Sequence, residues 1–245
     1  MRKMILRGMR AVADLILPRV CVVCGRKLLL EERHICLYCL SDMPFTYFWN
    51  LRCNNMADSL NGLLESKGQS EHERYAYAAA LFYYRSEADY RHIPYQIKYH
   101  GNIDAGRFFG KMLGKRLSDS KLFSDADAII PVPLHWTRKW KRGYNQAEVI
   151  AYGIAEEMGV PVLTDMLKRC RRTQTQTKLD IEEKADNVHN AFRTHKSPPA
   201  GLRHVILVDD VFTTGSTACA CYTALREVFP PSVRISVVTL GYVGH

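Results

Sequence analysis

The chain has 245 residues, 47% of them hydrophobic, and carries 34 Lys and Arg against 25 Asp and Glu, for a formal net charge of +9. That length suits one large domain or one domain with a small appendage, and no run of about 18 uncharged apolar residues exists to cross a bilayer. The basic excess points to an anionic partner (phosphate compounds, nucleic acid or an acidic surface) without choosing among them.

In chain order, "MRKMILRGMRAVADLILP" opens with a basic start, but Arg7, Arg10 and Asp14 interrupt any apolar core and no small-residue cleavage site follows, so it does not read as an export signal. It predicts an amphipathic helix ending near Pro18, with Ile5, Met9, Val12 and Ile16 near one face, packing on its own domain or touching a membrane surface. A cytoplasmic setting follows as the expectation.

Next come Cys21-x2-Cys24 and, eleven residues on, Cys36-x2-Cys39. Each C-x2-C can turn both sulfurs toward one point, and two such turns supply the four thiolates that tetrahedral zinc prefers. Four cysteines leave no open coordination position, so the reading is a structural Zn²⁺ site that holds a segment too short to fold alone. A redox dithiol pair or unligated thiols are the alternatives, and His34 is a substitute ligand. Cys53, Cys170, Cys219 and Cys221 show no pairing pattern and read as small buried hydrophobes.

Residues 56–74 are polar and read as a linker or a partly ordered connection. The predicted organisation is therefore a helix and cysteine knuckle over residues 1–60 and an α/β domain over 75–245. In the latter, "YAYAAALFYY" predicts a strand, and "EADYRHIPYQIKYHG" a helix stopped at Gly101 and Asn102. A helix follows over "IDAGRFFGKMLGKRLSD", a short buried strand in "ADAIIPVPL" leading to a basic loop, and a helix in "NQAEVIAYGIAEEMG" closed by Gly159. "HVILVDD", "GSTACACYTALREVF" and "VRISVVTLGYV" then read as strand, helix and strand. Apolar strands alternating with helices predict a parallel sheet flanked by helices.

"HVILVDDVFTTGST" carries the chemistry. Ligands of open α/β sheets collect beyond the carboxyl ends of strands, where Asp209 and Asp210 stand. Thr213, Thr214, Gly215, Ser216 and Thr217 then lead into a helix whose unpaired amides and dipole favour a phosphate. Two carboxylates beside such a cradle suit a sugar phosphate, accepting hydrogen bonds from its vicinal diol. The lysine and spacing of a Walker A loop are absent; the alternative is an aspartate cap with ordinary helix-start threonines.

"ILVDDVFTTGST" resembles the phosphoribosyl pyrophosphate (PRPP) motif of type I phosphoribosyltransferases. The resemblance implies that Asp209 and Asp210 hold the ribose hydroxyls and that residues Thr213 to Thr217 hold the 5′-phosphate. A narrower resemblance, to the ComF family, spans nearly the whole chain. It rests on "PVPLHWTRKWKRGYNQAEVIA", "TQTQTKLDIEEKADNVHNAF", "IKYHGN" and the cysteine-rich start. Tyr144 stands where relatives often have Phe, Lys184 where Arg is usual, and only Cys53 remains of a further cysteine pair.

This resemblance implies a type I phosphoribosyltransferase-like sheet with a small N-terminal four-cysteine zinc subdomain. It also implies Mg²⁺ with PRPP, transfer of the phosphoribosyl group to an unidentified acceptor, and a link to DNA uptake in competent bacteria. Members are read as amidophosphoribosyltransferase-like, but no N-terminal nucleophilic cysteine exists here to release ammonia from glutamine. The resemblance gives Arg138 and Arg142, in a loop also holding Lys139 and Lys141, to pyrophosphate. It gives the segment with Thr173, Gln174, Gln176, Thr177 and Lys178 to a closing loop, with Lys178 as a catalytic contact. It sets Lys98 near the site, though the residues themselves offer only a basic helix end. Trp136 and Trp140 either pack or stack on a base or on single-stranded nucleic acid. The competing reading is a non-catalytic nucleotide or PRPP sensor that binds single-stranded DNA or a DNA-uptake partner such as a helicase.

Overall fold

The computed structural model describes residues 18–66, 68, 75–85, 87–170 and 191–244. The N-terminal amphipathic segment up to residue 17 and the segment with Thr173 to Lys178 lie outside them.

Four strands form one wholly parallel sheet in the order β1-β6-β5-β2. They are β1 (Ala78–Tyr83), β2 (Ala128–Pro131), β5 (His204–Phe212) and β6 (Arg234–Tyr242). Between β2 and β5 in sequence lie β3 (Leu167–Arg169) and β4 (Phe192–Thr194), a separate antiparallel ribbon. The central strands are buried on both faces, as near-continuous runs such as "VILV" require. Val205, Ile206, Leu207 and Val208 are fully covered.

The helices are α1 (Leu37–Ser41), α2 (Asn55–Glu65), α3 (His92–Tyr99), α4 (Ile103–Ser118), α5 (Trp136–Arg142), α6 (Gln146–Met158) and α7 (Ser216–Arg226). Short 3-10 turns cover Phe48–Asn50 and Asp89–Arg91. The stretch expected as a polar linker begins with α2. Asn54 caps it by accepting from the Met56 and Ala57 amides, and its own amide donates to the Ala78 carbonyl at 3.0 Å. Met56, Ala57, Leu60 and Leu64 are buried at helical spacing; the polar residues of that stretch line the other face and hid the stripe.

Helices α4 and α6 cross backbone against backbone. A Cβ added at Gly110 would meet the Ile150 carbonyl oxygen, and one at Gly153 the Arg107 carbonyl oxygen. Large side chains there would push α6 off the sheet, and α6 is the helix that follows the basic segment at the site.

Both outer strands are flanked. On the β1 side the chain leaving the cysteine segment pairs with it: Phe45 bridges Phe82, the Thr46 amide donates to the Leu81 carbonyl at 3.3 Å, and the Tyr83 amide to the Pro44 carbonyl at 2.8 Å. On the β2 side Val162 bridges Ile129. At the start of β5 a buried His204 is held by Asp125 at 2.7 Å and Ser236 at 2.8 Å, which ties β5 to β6.

Candidate functional site

Strand β5 runs past both acids to Phe212, two residues farther than "HVILVDD" predicts. Asp209 pairs in register with Thr239 and Val211 with Gly241, so the acids sit in the last turn of pleat before the strand gives way to α7. Strand alternation sends Asp209 and Asp210 to opposite faces. Asp210 is 4% exposed and Asp209 half-buried.

A cavity of about 440 Å³ opens at the carboxyl ends of β1, β2 and β5. Of the residues expected at the site, Asp209, Asp210, Thr213, Thr217, Arg138 and Arg142 line it. Gly215 is the residue before α7, with a φ of 78°. A side chain there would run into Phe212 and Leu63, so glycine serves both the left-handed turn and the close packing. The Thr214 and Ser216 hydroxyls lie 3.0 Å apart beside it. Gly215 has no side chain to cap α7; the Ser216 amide donates to the Thr214 hydroxyl at 3.5 Å, and the amides that follow it in the first turn are the ones an anion would meet.

Two further cations complete the cavity: Lys98, whose own stretch reads only as a helix end, and Arg169, which the sequence does not single out. Lys98, on the last turn of α3, donates its ammonium to Asp210 at 2.8 Å. Burial alone would lower its pKa, but the Asp210 charge outweighs it and holds the ammonium above its usual range. The basic helix end expected of Lys98 is thus half the story: the side chain reaches across to the acids. Arg169, on β3, lies over the Phe192 ring at 5.1 Å and lines the same cavity. Burial and then the charge of Arg138 pull its pKa down. No sequence signal marks Arg169, because β3 is three residues long and pairs across an intervening segment.

Burial, followed by the Asp210 charge, pushes the Asp209 carboxyl up to about 7. Near neutrality one member of the acidic pair therefore carries a proton part of the time, until a ligand cation or donor compensates.

The segment after β2, expected as a loop, is the short helix α5, capped by His135 and ended by Gly143 in the left-handed region. Arg142 donates to the Gln146 side chain and stacks over Tyr99 at 5.5 Å. Lys139 instead pairs with Glu148 at 3.2 Å and does not line the cavity. Lys141 lines an adjoining cavity with Lys98, Tyr99, Arg138 and Arg142. Trp136 and Trp140 are 72% and 87% exposed, so neither packs into the core.

The four paired cysteines gather at the other end of α3. Their sulfurs lie within 4.8 Å of one another, with Cys24 Sγ and Cys36 Sγ 3.8 Å apart. Four thiolates around one zinc at about 2.3 Å stand about 3.8 Å from each other, so the cluster fits that ion. The Cys36 and Cys39 amides donate to the Cys21 and Cys36 sulfurs at 3.4 Å each, as a negatively charged thiolate set favours. The Arg26 amide draws the Cys24 thiol down to about 7, while burial raises Cys21. His34 is not part of the cluster; its ring lies 5.3 Å from Phe108. Of the other cysteines, Cys219 and Cys221 are buried in α7, but Cys53 and Cys170 are exposed and do not act as core residues.

No family model matches the chain. Over 110 residues it is 38% identical to Competence protein F of Haemophilus influenzae, a match covering 44% of this chain and 48% of that protein. The matched region is homologous to competence protein F. Over 91 residues the chain is also 41% identical to DNA utilization protein YhgH of Salmonella typhi, covering 37% of this chain and 39% of that one. The chain thus spans about half or less of the curated relatives it matches. These names agree with the ComF resemblance carried by the sequence motifs. Among solved structures, adenine phosphoribosyltransferase from Leishmania tarentolae aligns with a TM-score of 0.36 and 15% identity, over 75% of this chain and 87% of that chain. A glutamine PRPP amidotransferase from B. subtilis, complexed with ADP and GMP, aligns with a TM-score of 0.34 and 22% identity, over 56% and 26%. No helix among the described residues is long and apolar enough to cross a membrane.

Proposed function

We propose that the cavity binds PRPP with Mg²⁺ and that the protein transfers the phosphoribosyl group to an acceptor, in a role linked to DNA uptake. The observation that carries this reading is one cavity holding an acidic pair and several cations. Asp209 and Asp210 sit beside an open helix start, and Lys98, Arg138, Arg142 and Arg169 stand around them.

The roles follow from the chemistry. Asp209 and Asp210 accept from the ribose diol, and Thr213, Thr217 and the first amides of α7 take the 5′-phosphate. Arg138 and Arg142 meet the pyrophosphate, where guanidinium forks match phosphoryl oxygens. Mg²⁺ would be held by the carboxylate oxygens of Asp209 and Asp210 and would supply charge neutralisation for the pyrophosphate. The raised pKa of Asp209 suits such a partner, because an arriving cation favours its charged form. Lys178, carried over from the family resemblance, completes the proposed set as a closing-loop contact. The zinc of the cysteine cluster is structural in this reading. The link to DNA uptake rests on the names of the homologues, Competence protein F and DNA utilization protein YhgH.

Isothermal calorimetry of the protein with PRPP and Mg²⁺, followed by an assay for pyrophosphate release with candidate nitrogen acceptors, tests the reading. Saturable heat that Asp209→Asn with Asp210→Asn abolishes supports the binding step. Release that depends on an acceptor supports the enzyme. Binding without release under any acceptor leaves the sensor reading in its place.

A second reading has its own observation. Trp136 and Trp140 face solvent on the short helix that also carries Arg138, Lys139, Lys141 and Arg142. Exposed aromatic rings among cations suit stacking on single-stranded nucleic acid. Affinity for a labelled oligonucleotide that falls steeply with salt, and further on Trp140→Ala, supports it; salt-insensitive or absent binding removes it.

A further inference from the structure

Helix α3 joins two sites that the sequence reads separately. At its start, the Tyr90 hydroxyl donates to the Cys39 carbonyl at 2.8 Å, and His92 Nδ1 lies 3.2 Å from the Val23 carbonyl. Val23 sits inside the first cysteine pair and Cys39 closes the second, so both halves of the cluster are engaged. At its end, Lys98 grips Asp210 at 2.8 Å. Lys98 is six residues beyond His92, about 9 Å along the helix axis.

The same short unit supplies one wall of the cavity: Arg91, Pro94, Tyr95, Lys98 and Tyr99. Among the described residues, its cluster side borders an open space. A space of about 480 Å³ lies there, lined by Val20 to Gly25 and by Asp89, His92, Gln96 and Asn102. Ile93, Pro94 and Ile97 are buried and seat the unit; the Tyr90 and His92 bonds are its polar links to the cluster.

We propose that Tyr90 and His92 are positioning residues: they hold the cavity wall in place from the cysteine cluster, so that metal in the cluster and a ribose phosphate in the cavity favour each other's binding. The inference rests on the PRPP reading of the cavity and on the cluster's fit to zinc. Its physical basis is preorganisation. A wall already fixed costs less entropy to order when the ligand arrives. By reciprocity the bound ligand, through Lys98 and Tyr95, then steadies the backbone that carries the cysteine loops.

The test uses the zinc-loaded full chain. Zinc loss to a zinc-selective indicator is followed with and without PRPP and Mg²⁺, beside calorimetry of the same ligand, for wild type, Tyr90→Phe and His92→Ala. Phenylalanine keeps the ring that packs near Phe82 and removes only the hydroxyl. In wild type the ligand is expected to slow zinc loss about fivefold. Each variant is expected to bind the ligand about fivefold more weakly and to lose zinc at a rate the ligand no longer changes. A residue that merely stabilises the fold would lower the melting temperature and leave the ligand's effect on zinc intact. Heat of binding with equal zinc loss in the presence and absence of ligand overturns this proposal alone. Absence of any heat with the ligand overturns it together with the reading of the cavity.

Discussion

The cysteine cluster and the acidic corner of β5 are both small polar sites in a hydrophobic chain, yet they are built in opposite ways. The cluster is local: its four sulfurs come from nineteen consecutive residues, Cys21 to Cys39. The corner is assembled from Lys98 on α3, Arg138 and Arg142 on α5, Arg169 on β3 and the acids on β5, which lie far apart in sequence. A local site announces itself by spacing. A dispersed one shows only the part that happens to be contiguous. The difference also sets how each should fail: the cluster all at once if its four sulfurs share one ion, the corner through graded loss of single contacts.

The largest effect expected is at the corner. Asp209→Asn with Asp210→Asn should cut PRPP–Mg²⁺ affinity by at least about a hundredfold, since hydrogen bonds to charged groups contribute about 1.5–3 kcal/mol each; calorimetry reads it. For the cluster, Cys36→Ser should lower bound zinc from about one ion per chain to a small fraction. Hydrogen exchange should then rise in residues 18–54 while β5 and β6 stay protected. Equal exchange rises everywhere would erase the contrast between the two regions.

Gly215→Ala should cost about 2 kcal/mol or more, from the left-handed backbone and from contact with Phe212 and Leu63. Chemical denaturation measures it. Asp209→Asn alone should act on stability with a definite sign. The folded carboxyl titrates at about 7, above the roughly 3.9 of an unfolded aspartate. Its stabilising contribution is therefore complete below about pH 4 and lost as pH rises through 7. Relative to wild type, the ligand-free variant should gain on the order of 2 kcal/mol between those limits, solvent access having trimmed the full shift. The smallest effect belongs to Trp140→Ala, which should leave stability within about 0.5 kcal/mol and PRPP affinity unchanged.

Much of this was legible beforehand. The alternation of strand and helix, the paired cysteines and the Asp209 to Thr217 stretch are contiguous patterns, and each appears in the fold where its periodicity puts it. What escaped was non-local or masked. Helix α2 is hidden because Asp58, Asn61 and Glu65 make its sequence look like a linker, although Leu60 and Leu64 repeat at helical spacing. The family resemblance sets Lys98 near the site, but "IKYHG" itself reads only as a helix-end charge, since nothing in it shows that Asp210, 112 positions later, lies within reach. Arg169 had no signal at all. The basic stretch at 138–142 shows its charge in sequence, but its partition between the cavity and Glu148 depends on helical phase that seven residues barely reveal.

The pairing of Phe45 and its neighbours with β1 carries a consequence for solubility. An outer strand of a parallel sheet presents unsatisfied amides and carbonyls that other chains can template upon. Here the guard over that strand is continuous in sequence with the cysteine loops, so a stress that loosens those loops would be expected to uncover this border of the sheet. Self-association in the cell would then report on the state of the cluster well before the interior itself comes apart.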